Sequence, residues 1–166
     1  MAFPRTIRNY NAFLGGTSFM GLITEGQLPQ LQLQTEDYRG AGMDASVAID
    51  MGMQAMTASA TFAEWNNTLM TLIGTHESLV LRPAAAAQVD NQDVDAMVFT
   101  ITGLWTQLNP DVLRGGQAAN IQLTCGVHYY HGEQNGTELW DIDIENGIRK
   151  IGGTDQLAAI RAAMGL

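Results

Sequence analysis

Apolar and polar residues alternate along much of the chain. Val47, Ile49, Met51 and Met53 are interleaved with Ala48, Asp50 and Gly52. An extended chain turns successive side chains to opposite faces, so this segment has one apolar face and one small or polar face. The same period sets Leu31 and Leu33 against Gln30, Gln32 and Gln34, and Ala58, Ala60 and Phe62 against Thr57, Ser59 and Thr61. Further strands are predicted at Met97, Phe99 and Ile101, and at Ile121, Leu123, Cys125, Val127 and Tyr129. A last strand carries Trp140, Ile142 and Ile144, with Asp141 and Asp143 on its wet face. Between these last two runs, Asn135-Gly136 is a hairpin signal, because both residues tolerate positive φ. Together these segments predict a mainly β fold, largely antiparallel, arranged as a sandwich or a barrel.

Two segments change period. Trp65, Leu69, Leu72 and Ile73 fall on one helical stripe, and Gly74 stands where a C-terminal cap belongs. Near the end of the chain, Thr154 is a candidate N-cap for a helix carrying Leu157, Ile160 and Met164, with Gly165 closing it. Each narrow apolar stripe suits packing on one side of a sheet. Tyr38 to Asp44, Pro83 to Asp95 and Asn109 to Gln117 read as irregular. There is no internal repeat, linker or low-complexity tract, and residues 1–166 read as one domain.

Composition narrows the function classes. Hydrophobic residues make up 46% and charged residues 15% of the chain, a charge content below that of most soluble domains. A surface poor in charge and rich in Gln, Asn, Thr, Ala and Gly suits contact with other subunits; a compact monomer is also compatible. The net charge is −9, and Lys150 is the single lysine. Gripping nucleic acid or an anionic membrane requires clustered Lys and Arg, so neither binding role is expected. Cys125 is the one cysteine, so the fold rests on packing and not on an internal disulfide. Neither a signal peptide nor a membrane anchor is read in the sequence, and cytoplasmic synthesis is the default expectation.

Candidate chemistry is thin. His128 and His131 lie three apart on a predicted strand and point to opposite faces, and Cys125 does not converge with both, so no metal site is expected. Asp141-Ile-Asp143-Ile-Glu145 lacks the glycine and the bidentate glutamate of a calcium loop, whose places hold Asn146 and Gly152. No nucleophile elbow, phosphate-cradling loop or dinucleotide fingerprint is present. No catalytic, metal or cofactor residue is therefore assigned, and the chain is not expected to be an enzyme. The nine methionines, Met51 and Met53 among them, suit adaptable core filling or a subunit surface.

Two long blocks resemble a known family. Residues 28–56, LPQLQLQTEDYRGAGMDASVAIDMGMQAM, and residues 138–166, ELWDIDIENGIRKIGGTDQLAAIRAAMGL, are similar to the tail tube proteins of contractile phages. This P2-like family includes the tubes of R-type pyocins. Asn11-Ala12-Phe13-Leu14-Gly15-Gly16 also resembles the family's first strand. The resemblance implies a tail-tube, type VI tube-like β-barrel with a flanking helix. It further implies six-membered rings whose inner sheets join around a lumen and stack head to tail into a tube inside a contractile sheath. The chain would then be a virion component assembled in the host cytoplasm. Its implied partners are copies of itself, the sheath protein, a tape measure protein, a baseplate tube initiator and a tail terminator. Double-stranded DNA would pass through without tight binding.

Two groups of residues acquire roles on that basis. Tyr38, Arg39, Gly40, Gly42, Met43 and Asp44 resemble the family's long loop, which contacts adjacent subunits. Arg39 and Asp44 would form intersubunit ion pairs while Met43 fills a neighbour's pocket. A DNA channel favours walls without cations, because each cation is repeated around every ring. Gln30, Gln32, Gln34, Glu36 and Asp50 are accordingly expected to face the lumen; an outward, sheath-facing position is the alternative. A DNA-free contractile particle uses the same subunit design. A small-ligand-binding β-barrel is a reading from a different class, and a hydrolase built on Asp141, Asp143 and a histidine is the weakest.

Overall fold

A computed structural model describes residues 4–86 and 94–166. In chain order its elements are β1 (Thr6–Leu14), β2 (Thr17–Ser18), β3 (Ile23–Gln27), β4 (Leu33–Tyr38), β5 (Val47–Met53), β6 (Met56–Phe62), α1 (Asn67–Met70) and β7 (Leu79–Ala86). They continue with β8 (Val94–Pro110), β9 (Ile121–Gln134), β10 (Thr137–Asp143), β11 (Ile148–Ile151), β12 (Thr154–Asp155) and α2 (Ala158–Met164). The fold is mainly β, as the alternation predicts, and among the described residues the sheet does not close into a barrel.

The main sheet runs β12-β11-β10-β9-β8-β7-β1-β2. It forks at β9. The first half of that strand pairs Ile121–Val127 with β6, and the second half pairs Tyr129–Gln134 with β10. β8 follows both halves on the other side, and β3 extends the β6 branch. Folding the two branches toward each other encloses one core. Phe62, Leu69, Leu79, Ile121, Leu123 and Cys125 have no exposed surface within it. Burial at this level is worth about 1.5–3 kcal/mol for each large aliphatic or aromatic side chain. Trp105 is buried beside them and donates its Nε1–H to the Glu77 carbonyl at 2.9 Å, so no polar atom of that ring is left unpaired.

Gly103 is fixed by closeness. A Cβ at that position would lie 2.1 Å from the Gly126 carbonyl oxygen and 2.8 Å from Cys125 Sγ. The β8–β9 ladder shifts register beside it, between Thr102 and Gly103, a local irregularity of the kind that bends a long strand. The Asn135-Gly136 turn forms as expected, with φ of 51° and 78°. Asn135 also anchors the turn to β8, donating to Asp95 Oδ1 and accepting from the Ala96 N–H.

Several elements differ from their sequence expectation. The internal helix spans four residues; Asn66 caps it by accepting from Leu69 N–H, Leu69 and Leu72 are buried, and Ile73 is exposed. Thr154 does not cap the last helix, because it pairs with Ile151 in β12. α2 begins at Ala158, no residue in it is buried, and Gly165 ends it in the left-handed conformation. Of the stretch from Pro83 to Asp95, residues 83–86 continue β7 and residues 94–95 open β8, while 87–93 lie outside the described residues. Pro83 fits inside a sheet because the β7–β8 ladder skips Arg82 and Pro83 and resumes at Ala84 in the same register; the missing proline N–H is not needed there. Asn109 and Pro110 likewise extend β8.

Candidate functional site

The most regular alternation in the sequence lies in the least covered part of the molecule. β4 and β5 pair with each other in a two-stranded sheet of their own, and no side chain of either is buried. Val47, Ile49 and Met51 keep 54%, 46% and 55% of their surface exposed, and Leu33 and Tyr38 are exposed with them. A lone two-stranded hairpin is marginal in water, and exposed apolar rows of this kind mark contact surfaces. The hairpin also leaves unpaired backbone donors and acceptors along its edges, ready to pair with another strand.

A bulge decides which way its side chains point. Leu33 is opposite Met53, and continuing that register would set Glu36 opposite Asp50. The register shifts instead, so Thr35 is opposite Asp50 and Glu36 is opposite Ile49. The extra residue lies in β5 at Met51-Gly52, where Gly52 has φ 111° and donates its N–H to Asp50 Oδ1 at 2.8 Å. A side-chain-bearing residue is strained at that angle. Directly opposite residues share a face. Asp50 therefore lies with Thr35, while Glu36 and Tyr38 lie with Ile49 and Val47 on the other face. The expected common wall of Glu36 and Asp50 is thus divided by one bulge. Gln30 and Gln32 precede β4 in irregular chain, and Gln34 shares the face of Glu36.

Asp50 turns toward the body of the molecule. Arg149 Nη2 donates to its Oδ2 at 2.5 Å and Nη1 to its Oδ1 at 3.3 Å. The two-pronged hydrogen bond from Arg149, aided by the Gly52 N–H, holds the Asp50 carboxyl below its ordinary pKa. The Arg149 side chain is 7% exposed, whereas that of Asp50 is 40% exposed. Nothing in the Ile148-Arg149-Lys150-Ile151 pattern distinguishes Arg149, which is the residue of β11 that the fold buries. Beside this pair lies a groove of about 460 Å³, lined by Asp50, Met51, Met53, Ile144, Leu157 and Ile160. The apolar stripe of α2 thus borders an open groove instead of packing on the sheet.

The loop assigned to subunit contact joins β4 to β5. Tyr38 ends β4, and residues 39–46 form the hairpin tip. Gly40 N–H points to Met43 Sδ at 3.1 Å, and Arg39 Nε donates to the Met43 carbonyl at 3.4 Å. Met43 is therefore folded back within the loop, and Arg39 and Asp44 are exposed.

Elsewhere, cross-strand pairing assembles a cluster that the sequence reading missed. His131 on β9 lies opposite Asp141 on β10, with Glu133 and Glu138 also opposite each other. A two-residue turn alone would set His131 opposite Trp140; a bulge at Leu139 substitutes Asp141. His131 Nε2 is 3.0 Å from Glu133 Oε1, and Nδ1 is 3.4 Å from Asp141 Oδ1. Burial opposes a charge on this imidazole, but the carboxylates of Glu133 and Asp141 beside it outweigh that and raise its pKa. His128 stands apart, with its ring against His76 at 5.8 Å. Burial pushes the Cys125 thiol up to about 11, so it carries no nucleophile.

An open antiparallel sheet that leaves a long apolar hairpin uncovered defines a protein built to be completed by contact, a structural subunit. The chain belongs to the phage tail tube protein FII family, whose model matches residues 4–165. It is accordingly a structural, non-enzymatic component of the virion tail. It is 28% identical to the tail tube protein of Escherichia phage P2 over an alignment of 180 positions covering all of both chains. To the major tail tube protein of Serratia phage KSP20 it is 26% identical, over 92% of this chain and 91% of that one. Its fold is also that of the sheath/tube terminator of the extracellular contractile injection system PVC, with a TM-score of 0.60, 8% identity, and coverage of 79% of this chain and 97% of that one. The tube-terminating cap of the anti-feeding prophage matches with a TM-score of 0.59 and 12% identity, over 80% of this chain and 93% of that one.

Proposed function

We propose that this subunit assembles into six-membered rings that stack head to tail as the tube of a contractile tail, and that double-stranded DNA passes through the bore. The observation that carries this reading is the uncovered β4–β5 hairpin, in a chain whose family forms tail tubes. Its apolar face and free edges are satisfied by a neighbouring copy, and closure of the ring leaves no edge available for uncontrolled pairing. Head-to-tail stacking is heterologous and therefore open-ended. Tube length is consequently imposed by a tape measure protein, with a baseplate initiator at one end, a terminator at the other and a sheath around the outside.

The tip loop from Tyr38 to Asp44 reaches the adjacent subunit, with Arg39 and Asp44 offering its charges. Gln30 and Gln32 stand in the uncharged wall of the bore, whereas Gln34 and Glu36 share the face of Ile49 and Val47 that a neighbouring copy covers. Asp50 leaves that row, because its carboxylate is committed to Arg149. Such a wall holds a polyanion weakly, which suits transit. A DNA-free contractile particle is the second reading, favoured by the fold shared with the injection-system proteins.

Negative-stain electron microscopy of the purified protein tests assembly: rings or tubes are expected, and a monodisperse monomer at high concentration contradicts the proposal. Arg39→Glu separates the loop's role from folding. A folded chain that polymerises poorly is expected, and normal tubes from that variant would remove the loop from the interface.

A further inference from the structure

We propose that His131, Glu138 and Asp141 form a binding site for a zinc-like divalent ion on the polar face of the β9–β10 hairpin. One ligand atom from each of the three lies within 4.8 Å of the others. His131 Nδ1 is 3.4 Å from Asp141 Oδ1 and 3.9 Å from Glu138 Oε2. Ligands bound at about 2.0–2.1 Å in a tetrahedral zinc site stand roughly 3.3–3.5 Å apart. Measured from His131 Nδ1, these separations need a closing movement of about half an ångström at Glu138 and almost none at Asp141.

The hydrogen bonding points the same way. Glu133 Oε1, at 3.0 Å from His131 Nε2, is placed to accept that nitrogen's proton. The imidazole then presents the Nδ1 lone pair to two carboxylates, the arrangement in which a carboxylate orients a metal-binding histidine. Both His131 Nδ1 and Asp141 Oδ1 are buried without a hydrogen-bond partner. Two facing acceptors repel unless a cation or a proton lies between them. Tyr129 lies beside the ring, with the two planes 1° and the centroids 6.5 Å apart.

Charge favours the dication. Glu133, Glu138 and Asp141 surround the imidazole, and the one ammonium in direct contact is Lys150, whose Nζ is 2.8 Å from Glu138 Oε1. That pair occupies one Glu138 oxygen and leaves Oε2 turned to His131. The side chains of His131, Glu138 and Asp141 stay 18%, 28% and 26% exposed, enough for an ion to enter from solvent. A bound ion would staple β9 to β10, because its ligands come from both strands.

Equilibrium dialysis of the chelator-stripped full chain against Zn²⁺ in excess Mg²⁺, read by elemental analysis, tests the site. One zinc per chain is expected, lost in His131→Gln and in Asp141→Asn and retained in His128→Gln. Circular dichroism checks that each variant is folded. Cobalt in place of zinc should give the intense visible absorption of a four-coordinate site. If the wild-type chain retains no stoichiometric zinc, the proposal fails and the cluster is a protonated imidazole caged by acids; this outcome needs no variant. Zinc bound equally by His131→Gln also overturns it, as adventitious binding to surface carboxylates.

Discussion

β5 and β6 are consecutive seven-residue strands separated by Gln54 and Ala55, and both alternate. β6 buries Met56, Ala58, Ala60 and Phe62 between β3 and β9. β5 carries larger apolar residues at the same period and buries none. The difference is one of neighbours. β6 has a strand on each side and two branches of a sheet around it, whereas β5 pairs with β4 alone and reaches the body of the molecule through the Arg149 contact and through Met53 at its end. Alternation therefore says that a face will be covered, and says nothing about which chain covers it. In the proposed assembly a second copy covers it.

The contrast can be broken from the β6 side first. Phe62→Ala removes a fully buried ring and should cost about 3–5 kcal/mol in urea unfolding of the unassembled chain. Gly103→Ala forces a methyl group against the Gly126 carbonyl; overpacking of this kind costs about 1–3 kcal/mol, read from the same transition. On the hairpin, Gly52→Ala meets the strained φ of the bulge and should cost about 1 kcal/mol or more. It should also loosen the Asp50–Arg149 contact, visible as faster amide exchange in β5. Ile49→Asp should change the unassembled chain by no more than about 0.5 kcal/mol, yet prevent tube formation in electron micrographs.

The smallest effect concerns pH. The folded pKa of Asp50 is depressed by Arg149, so the stabilisation is present above the ordinary carboxylate value and is lost as pH falls through the folded value. The residual protection of the β4–β5 amides, taken relative to their intrinsic exchange rates at each pH, should fall across that acidic window. Asp50→Asn should remove the pH dependence while leaving β6 unchanged.

Residue pattern made much of this architecture legible. The period-two runs located β5, β6, β9 and β10, and Asn135-Gly136 located their tightest turn. β3 and β7 were missed: Glu25 and Gly26 interrupt one pattern, and Pro83 with the alanines after it disguises the other as a loop. The sites were harder to read, because single-residue bulges control them, among them one at His128 that turns His131 off the core face. Another at Gly52 separates Asp50 from Glu36, and one at Leu139 brings Asp141 to His131. A one-residue shift reverses every later side chain, and only the glycine within the β5 run gave notice of any of them.

Hydrogen exchange of the β4–β5 amides, measured on the same protein before and after assembly, tests the central claim most directly. The amides of Val47–Met51 should exchange rapidly in the free subunit and become strongly protected in the tube, while those of β6 are protected in both. Well-formed tubes in which the hairpin still exchanges as it does in the free subunit would contradict the account.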